Sequence, residues 1–340
     1  MSQGPSDDPG IPPSGRRGRV GRAEFKAQVK ATRADIERQV HATRVDIERQ
    51  MQVRRAQLDA TSERIEARTG RNLILAILIG LGFGLLMLFS LIVIKELFMV
   101  VGAASITFAA FELTQALRAA GRLVPRVPIV IGAVAVVPAA YYWHSAGQLI
   151  AIGGGILLVW VWRLVSALVP GRRVPAAQVW RELGAGAFIQ VYVAFLGSFS
   201  VLLLAENGGQ WWTLAFLIAV IAVDTGAYVS GLLFGRHPMA PTISPKKTWE
   251  GLAGAAVASV IAGVFLATFM LGEPWWFGFP FGLILLFTAT IGDLAESLVK
   301  RDLGIKDMSS WLPGHGGFLD RLDSILPSAA AAYALFLIFR

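Results

Sequence analysis

The sequence contains a series of apolar stretches, each close to the roughly 20 residues that an α-helix needs to cross the hydrocarbon core of a bilayer. About nine stretches of this length can be distinguished. With 55% hydrophobic and only 16% charged residues, the chain is too apolar for an ordinary soluble domain. We therefore expect an all-α, multi-pass membrane protein. Its transmembrane helices are predicted at approximately 72–94, 97–117, 127–143, 148–168, 184–205, 211–233, 249–271, 275–299 and 322–339.

Basic residues are concentrated in alternate connections between these stretches. Arginines and lysines follow the second, fourth, sixth and eighth stretches, whereas the other connections contain only Lys95. Short loops that are rich in Lys and Arg stay in the cytoplasm. The pattern therefore predicts that the N-terminus and all the basic connections are cytoplasmic.

The segment before the first apolar stretch has two parts. Residues 1–22 are rich in Pro, Gly, Ser and Arg without an apolar core, which predicts a disordered basic tail rather than a cleaved signal peptide. Residues 23–70 contain an eleven-residue repeat, ATRADIERQVH at 31–41 and ATRVDIERQMQ at 42–52. This period is typical of a nearly straight or slightly right-handed coiled coil, so we expect a cytoplasmic helical arm. The transmembrane domain then covers 71–340.

Three roles for the arm stay open. It is a solvated helix, a helix that self-associates or packs on another chain, or a basic helix that binds an anionic lipid surface. Composition excludes other kinds of site, because a chain without cysteine has no disulfide, thiolate metal site or thiolate nucleophile. Its four histidines also leave little for a zinc cluster.

Charged side chains occur within the eighth apolar stretch, LFTATIGDLAESLVKR. Asp293, Glu296, Ser297 and Lys300 are spaced i, i+3, i+4 and i+7, so a helix places all four on one face. A carboxylate inside a membrane helix is costly and normally faces a water-filled cavity or a partner charge. We predict a functional face here. The alternative is an ion pair between Glu296 and Lys300 that only fixes packing.

The same face continues into the connection KRDLGIKDMSSWLPGHGGFLDRLDS at 300–324. Asp320 and Asp323 lie one helical turn apart, and clustered carboxylates suit Mg²⁺. Three nearby basic side chains suit phosphate oxygens. They are Lys300, Arg301 and Lys306. Cations for phosphate charge together with anions for a metal are typical of a site for a nucleotide bound as its magnesium complex.

A second charged block surrounds the end of the sixth stretch, DTGAYVSGLLFGRHPMAPTISPKKTWEG at 224–251. Asp224 is expected to be buried at helix depth, with Tyr228 on the same face, so that a polar cavity reaches into the bilayer. The following loop brings four polar side chains to the start of the seventh helix. Thr248 is expected to cap this helix. The N-terminus of the helix, next to two lysines, favours the binding of an anion. These side chains are Ser244, Lys246, Lys247 and Thr248. Ordinary positive-inside topology is the alternative interpretation of the two lysines.

Two further side chains have open roles. His315 lies in a glycine-rich turn, where it either orients a phosphate or is satisfied by the backbone. Glu112 lies near the inner end of the second stretch and is either a cavity-wall residue or an interfacial charge.

The segment SLVKRDLGIKDMSSWLPGHGGFLDRLD at 297–323 resembles the signature of the phosphatidate cytidylyltransferases, also called CDP-diacylglycerol synthases. DTGAYVSGLLFGR and SPKKTWEG are similar to the two upstream blocks of the family. The resemblance covers approximately 72–340 and excludes the arm, which departs from the family's usual short N-terminus. The positions at the family spacing are Ser297, Lys300, Arg301, Lys306, Asp307, Pro313, His315, Gly316, Gly317, Asp320, Arg321 and Asp323.

The resemblance implies transfer of a cytidylyl group from CTP to phosphatidic acid for phospholipid biosynthesis. A homodimer is expected both from the commonness of symmetric dimers and from the resemblance. We also expect a location in the cell (plasma or inner) membrane, with bilayer lipid and no nucleic acid among the partners. A related lipid or polyprenol kinase is the alternative. An ion or lipid transporter is a weaker one, since the discontinuous helices or repeated halves expected of a transporter are not evident in the sequence.

The resemblance and the residue pattern together give a candidate site. The predicted metal ligands for Mg²⁺, with a second metal or monovalent cation as a further expectation, are Asp293, Asp320, Asp323 and Asp224. The predicted catalytic residues are Asp293, Asp320, Asp323, Lys300 and Arg301. The predicted substrate-binding residues, not divided between the two substrates, are Ser244, Lys246, Lys247, Thr248, Ser297, Lys306, His315 and Arg321.

Overall fold

The structure is a computed structural model that describes residues 73–168, 174–309, 311 and 316–339, with side chains from residue 80 onward. The tail at 1–22, the arm at 23–70 and His315 lie outside the described residues. The helices are α1 (Leu73–Ile92), α2 (Lys95–Ala119), α3 (Arg126–Ala167), α4 (Ala176–Ile189), α5 (Leu196–Ala205), α6 (Gly209–Phe234), α7 (Trp249–Leu266), α8 (Gly278–Asp302), α9 (Leu319–Leu322) and α10 (Ile325–Phe339).

Short irregular elements join or extend several helices. The π-helical segment Gln190–Phe195 connects α4 to α5, and a second one, Ala267–Leu271, extends α7. A 3₁₀ turn, Trp275–Phe277, precedes α8. Between α6 and α7, strands β1 (Pro238–Ala240) and β2 (Ser244–Thr248) pair antiparallel.

Within the described residues, seven helical segments are long and apolar enough to cross a membrane. This finding confirms the multi-pass helical class, although the number differs from the nine stretches in the sequence. The seven segments are Lys95–Ala119, Arg126–Ala167, Ala176–Ala205, Gly209–Phe234, Trp249–Leu271, Trp275–Asp302 and Leu319–Phe339.

The longest segment, α3, is a helical hairpin. Its 42 residues would extend about 63 Å if straight, roughly twice the thickness of a hydrocarbon core. His144 interrupts the helix with φ 51° and ψ −145°. Beyond this point the chain folds back, because a Cβ on Gly155 would lie 3.3 Å from the Cα of Gly132. In a straight helix those residues would be about 35 Å apart.

Small residues bring the helices of the second half into close contact. Gly263 on α7 lies directly against the backbone of α8 at Gly278, and Gly282 on α8 lies against Ser259. Close backbone approach through glycine, alanine and serine is typical of helices packed in a membrane. The outer face of α7 instead presents a stripe of exposed apolar side chains at helical spacing: Val257, Ile261, Phe265 and Phe269.

Side-chain contacts show which connections lie at which end of the bundle. At one end, here the charged end, three contacts hold the connections after α2, α6 and α8 against neighbouring helices: Arg122 with Asp302 at 3.4 Å, Lys247 with Asp293 at 2.6 Å and Ser309 with Glu112 at 2.5 Å. At the opposite end, the α3 reversal meets the α5–α6 connection, where His144 Nδ1 lies 3.4 Å from Glu206 Oε1. Three of the basic connections therefore share one end of the molecule.

The connection between α6 and α7 differs from the expected loop and from an all-α fold. Pro238 pairs with Thr248 and Ala240 with Ser244, which makes a two-stranded ribbon. Glu250 at the start of α7 closes its base by accepting hydrogen bonds from the backbone nitrogens of Arg236 (3.1 Å) and His237 (3.2 Å). The ribbon fixes where β2 presents its side chains.

Candidate active site

Two cavities at the charged end are lined by residues of both sequence blocks, and the larger, here the Asp224 cavity, has a volume of about 260 Å³. It lies between α6, β2, α7 and α8, and both sequence blocks contribute to its wall. Its polar and charged lining residues are Asp224, Tyr228, Lys246, Lys247, Thr248, Thr290 and Asp293. Carboxylates and ammonium groups therefore face the same space.

The smaller cavity, here the Lys306 cavity, has a volume of about 140 Å³. Three basic side chains and two hydroxyl groups line it together with two isoleucines, and no carboxylate is among its lining residues. The polar members are Ser244, Ser297, Lys300, Arg301 and Lys306. Such a wall suits the oxygen atoms of a phosphate group.

An ion pair connects the two sequence blocks across the Asp224 cavity. Lys247 Nζ on β2 lies 2.6 Å from Asp293 Oδ2 on α8. Ser297, one helical turn further along α8, donates its hydroxyl hydrogen to Asp293 Oδ1 at 3.3 Å. Because Ser297 also lines the Lys306 cavity, Asp293 and Ser297 form the boundary between the two spaces.

The face predicted for the eighth helix is formed as expected, and it extends to α9. Lys300 forms ion pairs with the fully buried Glu296 and with Asp320, whose Oδ1 lies 2.9 Å from Lys300 Nζ. The other oxygen of Asp320 accepts backbone hydrogen bonds from Met308 (3.2 Å) and Gly317 (2.8 Å). Asp320 thus joins α8 to both limbs of the loop that precedes it.

The four aspartates predicted as metal ligands differ in their surroundings. Asp224, Asp293 and Asp323 lie close enough for their charges to repel one another. Asp320 is bound by Lys300 and by two backbone amides of the loop. Asp293 is bound by two side chains, Lys247 and Ser297, and also lines the Asp224 cavity. Among the described residues, no three acidic or histidine side chains converge into a ready metal site. The carboxylates of Asp224 and Asp293 nevertheless line one cavity together with Lys246 and Lys247, and carboxylate oxygens beside phosphate-binding cations fit Mg²⁺.

Several local predictions are settled by the structure. Thr248 caps α7, since its Oγ1 accepts a hydrogen bond from Gly251 N at 3.1 Å. Asp224 and Tyr228 share one cavity, as predicted. Asp224 lines the cavity wall and is accessible from that space. Arg321 lies on the exposed side of α9.

Sequence reasoning missed one side chain beside the acidic residues. The π-helical segment between α4 and α5 carries Tyr192, whose hydroxyl is buried near the charges of Asp323, Glu296 and Asp293. It has no hydrogen-bond partner within the described part of the chain. Single-turn π-helices are frequent at functional sites, but an isolated tyrosine in an apolar stretch gives no sequence signal for one.

Comparison with known proteins identifies the family. The model of the cytidylyltransferase family matches residues 74–339. Phosphatidate cytidylyltransferase of Mycobacterium bovis is 41% identical over 272 residues, which cover 78% of this chain and 89% of that protein. The enzyme of the same name from Mycobacterium leprae is 39% identical over 276 residues, which cover 79% of this chain and 88% of that protein. That of Brucella suis is 40% identical over 197 residues, which cover 57% of this chain and 66% of that protein.

The chain therefore belongs to the cytidylyltransferase family. The resemblance predicted from the sequence blocks is confirmed, and the match covers both blocks and every described helix of the bundle except the first residue of α1.

Proposed function

We propose that this protein transfers a cytidylyl group from CTP to phosphatidic acid, forming CDP-diacylglycerol and pyrophosphate. Family membership supports the reaction class, and its relatives carry the name of this activity. The ion pair between Lys247 and Asp293 is the structural observation that carries the proposal. It places the two sequence blocks around one charged cavity at the end of an apolar bundle, where a soluble nucleotide and a membrane lipid can meet.

The reaction is a displacement at phosphorus. A phosphate oxygen of phosphatidic acid attacks the α-phosphorus of CTP, and the bond from that phosphorus to the bridging oxygen of the β-phosphate breaks. Pyrophosphate leaves, so no side-chain nucleophile is needed. Catalysis then consists mostly of positioning and charge neutralisation. Lys246 and Lys247 are assigned to phosphate in the Asp224 cavity, and Lys300, Arg301 and Lys306 to phosphate in the Lys306 cavity.

The proposed cofactor is Mg²⁺, held by Asp224, Asp293 and Asp323. When bound, it would neutralise phosphate charge and orient the triphosphate, and a second cation would share that role. Lys247 keeps Asp293 oriented toward the cavity. Asp320 is assigned to the loop rather than to the metal, because two backbone amides of the loop hold one of its oxygens and Lys300 binds the other. Ser244, Ser297, Thr248 and Arg321 are assigned to phosphate binding, as is His315.

The proposed topology has nine transmembrane helices with the charged end in the cytoplasm of a cell membrane. Seven segments are long and apolar enough to span the membrane, α3 reverses at His144 to give two helices, and α1 is a further, mostly apolar helix of 20 residues. Basic residues in alternate connections support the cytoplasmic orientation. We also propose that the chain is a homodimer and that the arm at 23–70 self-associates, on the basis of its eleven-residue period.

Isotope labelling tests the reaction directly. Purified protein in phosphatidate-containing micelles should transfer label from α-³²P-CTP into lipid and none from γ-³²P-CTP. Asp293→Asn is the matched inactive control. Transfer of γ-label alone would identify a lipid kinase, and transfer of neither label by folded protein would contradict the proposal.

A further inference from the structure

Glu112 is a buried carboxylate whose partners lie some 200 residues away in sequence. It belongs to α2, and only 1% of its surface is exposed. Its Oε1 accepts a hydrogen bond from Ser309 Oγ at 2.5 Å, and its Oε2 accepts one from Leu319 N at 3.0 Å. No Lys, Arg or His among the described residues forms an ion pair with it. Neutral donors from the loop after α8 therefore stabilise this charge.

These donors belong to both limbs of the loop, which we call the loop base: residues 308–309 and 317–319. Glu112 binds one donor from each limb. Asp320 does the same, through Met308 N and Gly317 N. The two limbs are therefore bridged twice, once by a carboxylate within the family signature and once by a carboxylate from α2.

Three further contacts bring α2 and the loop after α8 together. Gly317 lies so close to Glu112 that a Cβ on it would be 2.7 Å from Oε2. Phe108 stacks on Phe318 with ring centroids 5.0 Å apart, and Phe111 stacks on Trp311 at 5.6 Å. Glu112 is thus the polar member of a docking surface that is otherwise apolar.

We infer that Glu112 is a positioning residue for the active site, which fixes the loop base so that Asp320 meets Lys300 at the Lys306 cavity. The inference follows from a chain of contacts: Glu112 holds the two limbs, the limbs bind Asp320, and Asp320 binds Lys300. The effect on turnover rests on the proposed function, whereas the effect on the loop does not.

The test compares Glu112→Gln with Glu96→Gln in the full-length protein. Glu96 lies on the same helix but is exposed near the opposite end. Hydrogen exchange of the amides at 317–319 should accelerate in Glu112→Gln and stay unchanged in Glu96→Gln. With CTP and phosphatidate, kcat should fall by about 10- to 100-fold in Glu112→Gln, because small misplacements of reacting groups are that costly. KM should change much less, and Glu112→Asp should restore part of kcat.

Ser309→Ala provides a second test if Glu112→Gln folds poorly, since it removes a single hydroxyl group from the same contact. Combining the two changes should lower kcat by less than the product of the single effects, because both act on one interaction. Unchanged exchange at 317–319 together with unchanged kcat in folded Glu112→Gln would overturn the inference. Absence of cytidylyl transfer in the unaltered protein would instead overturn the proposed function, while the exchange result would still decide the role of Glu112.

Discussion

Two groups of charged side chains lie at the charged end of the bundle, and they are organised differently. Arg163 on α3 and Glu182 on α4 form a buried pair, with 5% and 1% of their side chains exposed and 2.5 Å between Arg163 Nη2 and Glu182 Oε2. Glu182 Oε1 also accepts hydrogen bonds from Leu123 N (3.0 Å) and Gln178 Nε2 (3.1 Å). One cation thus meets one anion, and neutral donors complete the arrangement.

The group around the two cavities is not balanced in this way. Asp224, Asp293 and Asp323 repel one another, whereas the cations of the Lys306 cavity surround a space without a carboxylate in its lining. Lys247 pairs with Asp293, and Lys300 pairs with Glu296 and Asp320. Arg301 and Lys306, by contrast, form no ion pair among the described residues. The difference teaches that a buried pair of equal and opposite charges joins helices, while charged side chains without an ion pair beside a cavity are available to a ligand.

Asp293→Asn should have the largest effect on turnover, because Asp293 belongs to the group around the two cavities. The change keeps the shape of the side chain but removes a charge at the boundary of the two cavities, so turnover should fall by at least the ~10²-fold typical of losing an electrostatic stabiliser. The measurement is cytidylyl transfer at saturating Mg²⁺, with folding checked by gel filtration. Near-normal turnover in the folded variant would contradict a role for Asp293 in catalysis or metal binding.

Lys246→Gln combined with Lys247→Gln should have the next largest effect. Hydrogen bonds to charged groups contribute about 1.5–3 kcal/mol, so the KM for CTP or phosphatidate should rise about tenfold or more. Arg122→Gln is the matched control, because this exposed side chain pairs with Asp302 outside both cavities. Equal kinetics of the double variant and the control would leave the two lysines with a role in topology alone.

Arg163→Met should lower the stability of the protein rather than its activity. Removing one partner of a buried pair costs about 3–5 kcal/mol, so the thermal unfolding temperature in detergent should fall clearly. Activity per folded molecule should stay close to that of the unaltered protein, since the pair touches neither cavity of the proposed site. A loss of turnover without a loss of stability would show that this pair also serves the reaction.

Removal of residues 1–69 should have the smallest effect on activity. The arm has no glycine loop and no charged block of the kind found at 224–251 or 297–323, so the shortened protein should keep roughly full specific activity. Light scattering should show a smaller assembly than for the full chain if the eleven-residue period supports association. Equal masses would contradict the coiled-coil prediction, and inactivity of a folded shortened protein would place the arm near the active site.

Much of the helical arrangement could be predicted because apolar length is a local property. The seventh stretch was predicted at 249–271 and the structure has Trp249–Leu271. The spacing from Asp293 to Lys300 likewise predicted one face of a helix. The β-ribbon was missed because Pro and Lys rarely signal strands, and strand pairing depends on the partner segment.

Hydrogen-bond and ion-pair partners that lie far apart along the chain could not be predicted from the sequence. Glu112 had two open interpretations because Ser309 and Leu319 lie so far along the chain. Asp320 was predicted as a metal ligand from its one-turn spacing to Asp323 and from the family resemblance. Its engagement by Lys300, Met308 and Gly317 depends on how the loop folds. Both cases need the tertiary structure, because a sequence pattern does not record which hydrogen-bonding capacity is already used.

The reversal at His144 has a consequence for how the protein meets its surroundings. At that end of the bundle the helices are joined by residues 93–94, by His144 itself, and by residues 206–208 and 272–274. The charged end has much longer connections, such as 235–248 and 303–318. Among the described residues, a protease or a membrane-impermeant reagent approaching from the His144 side would therefore meet only these short connections, whereas the longer connections would be reached from the other side of the membrane.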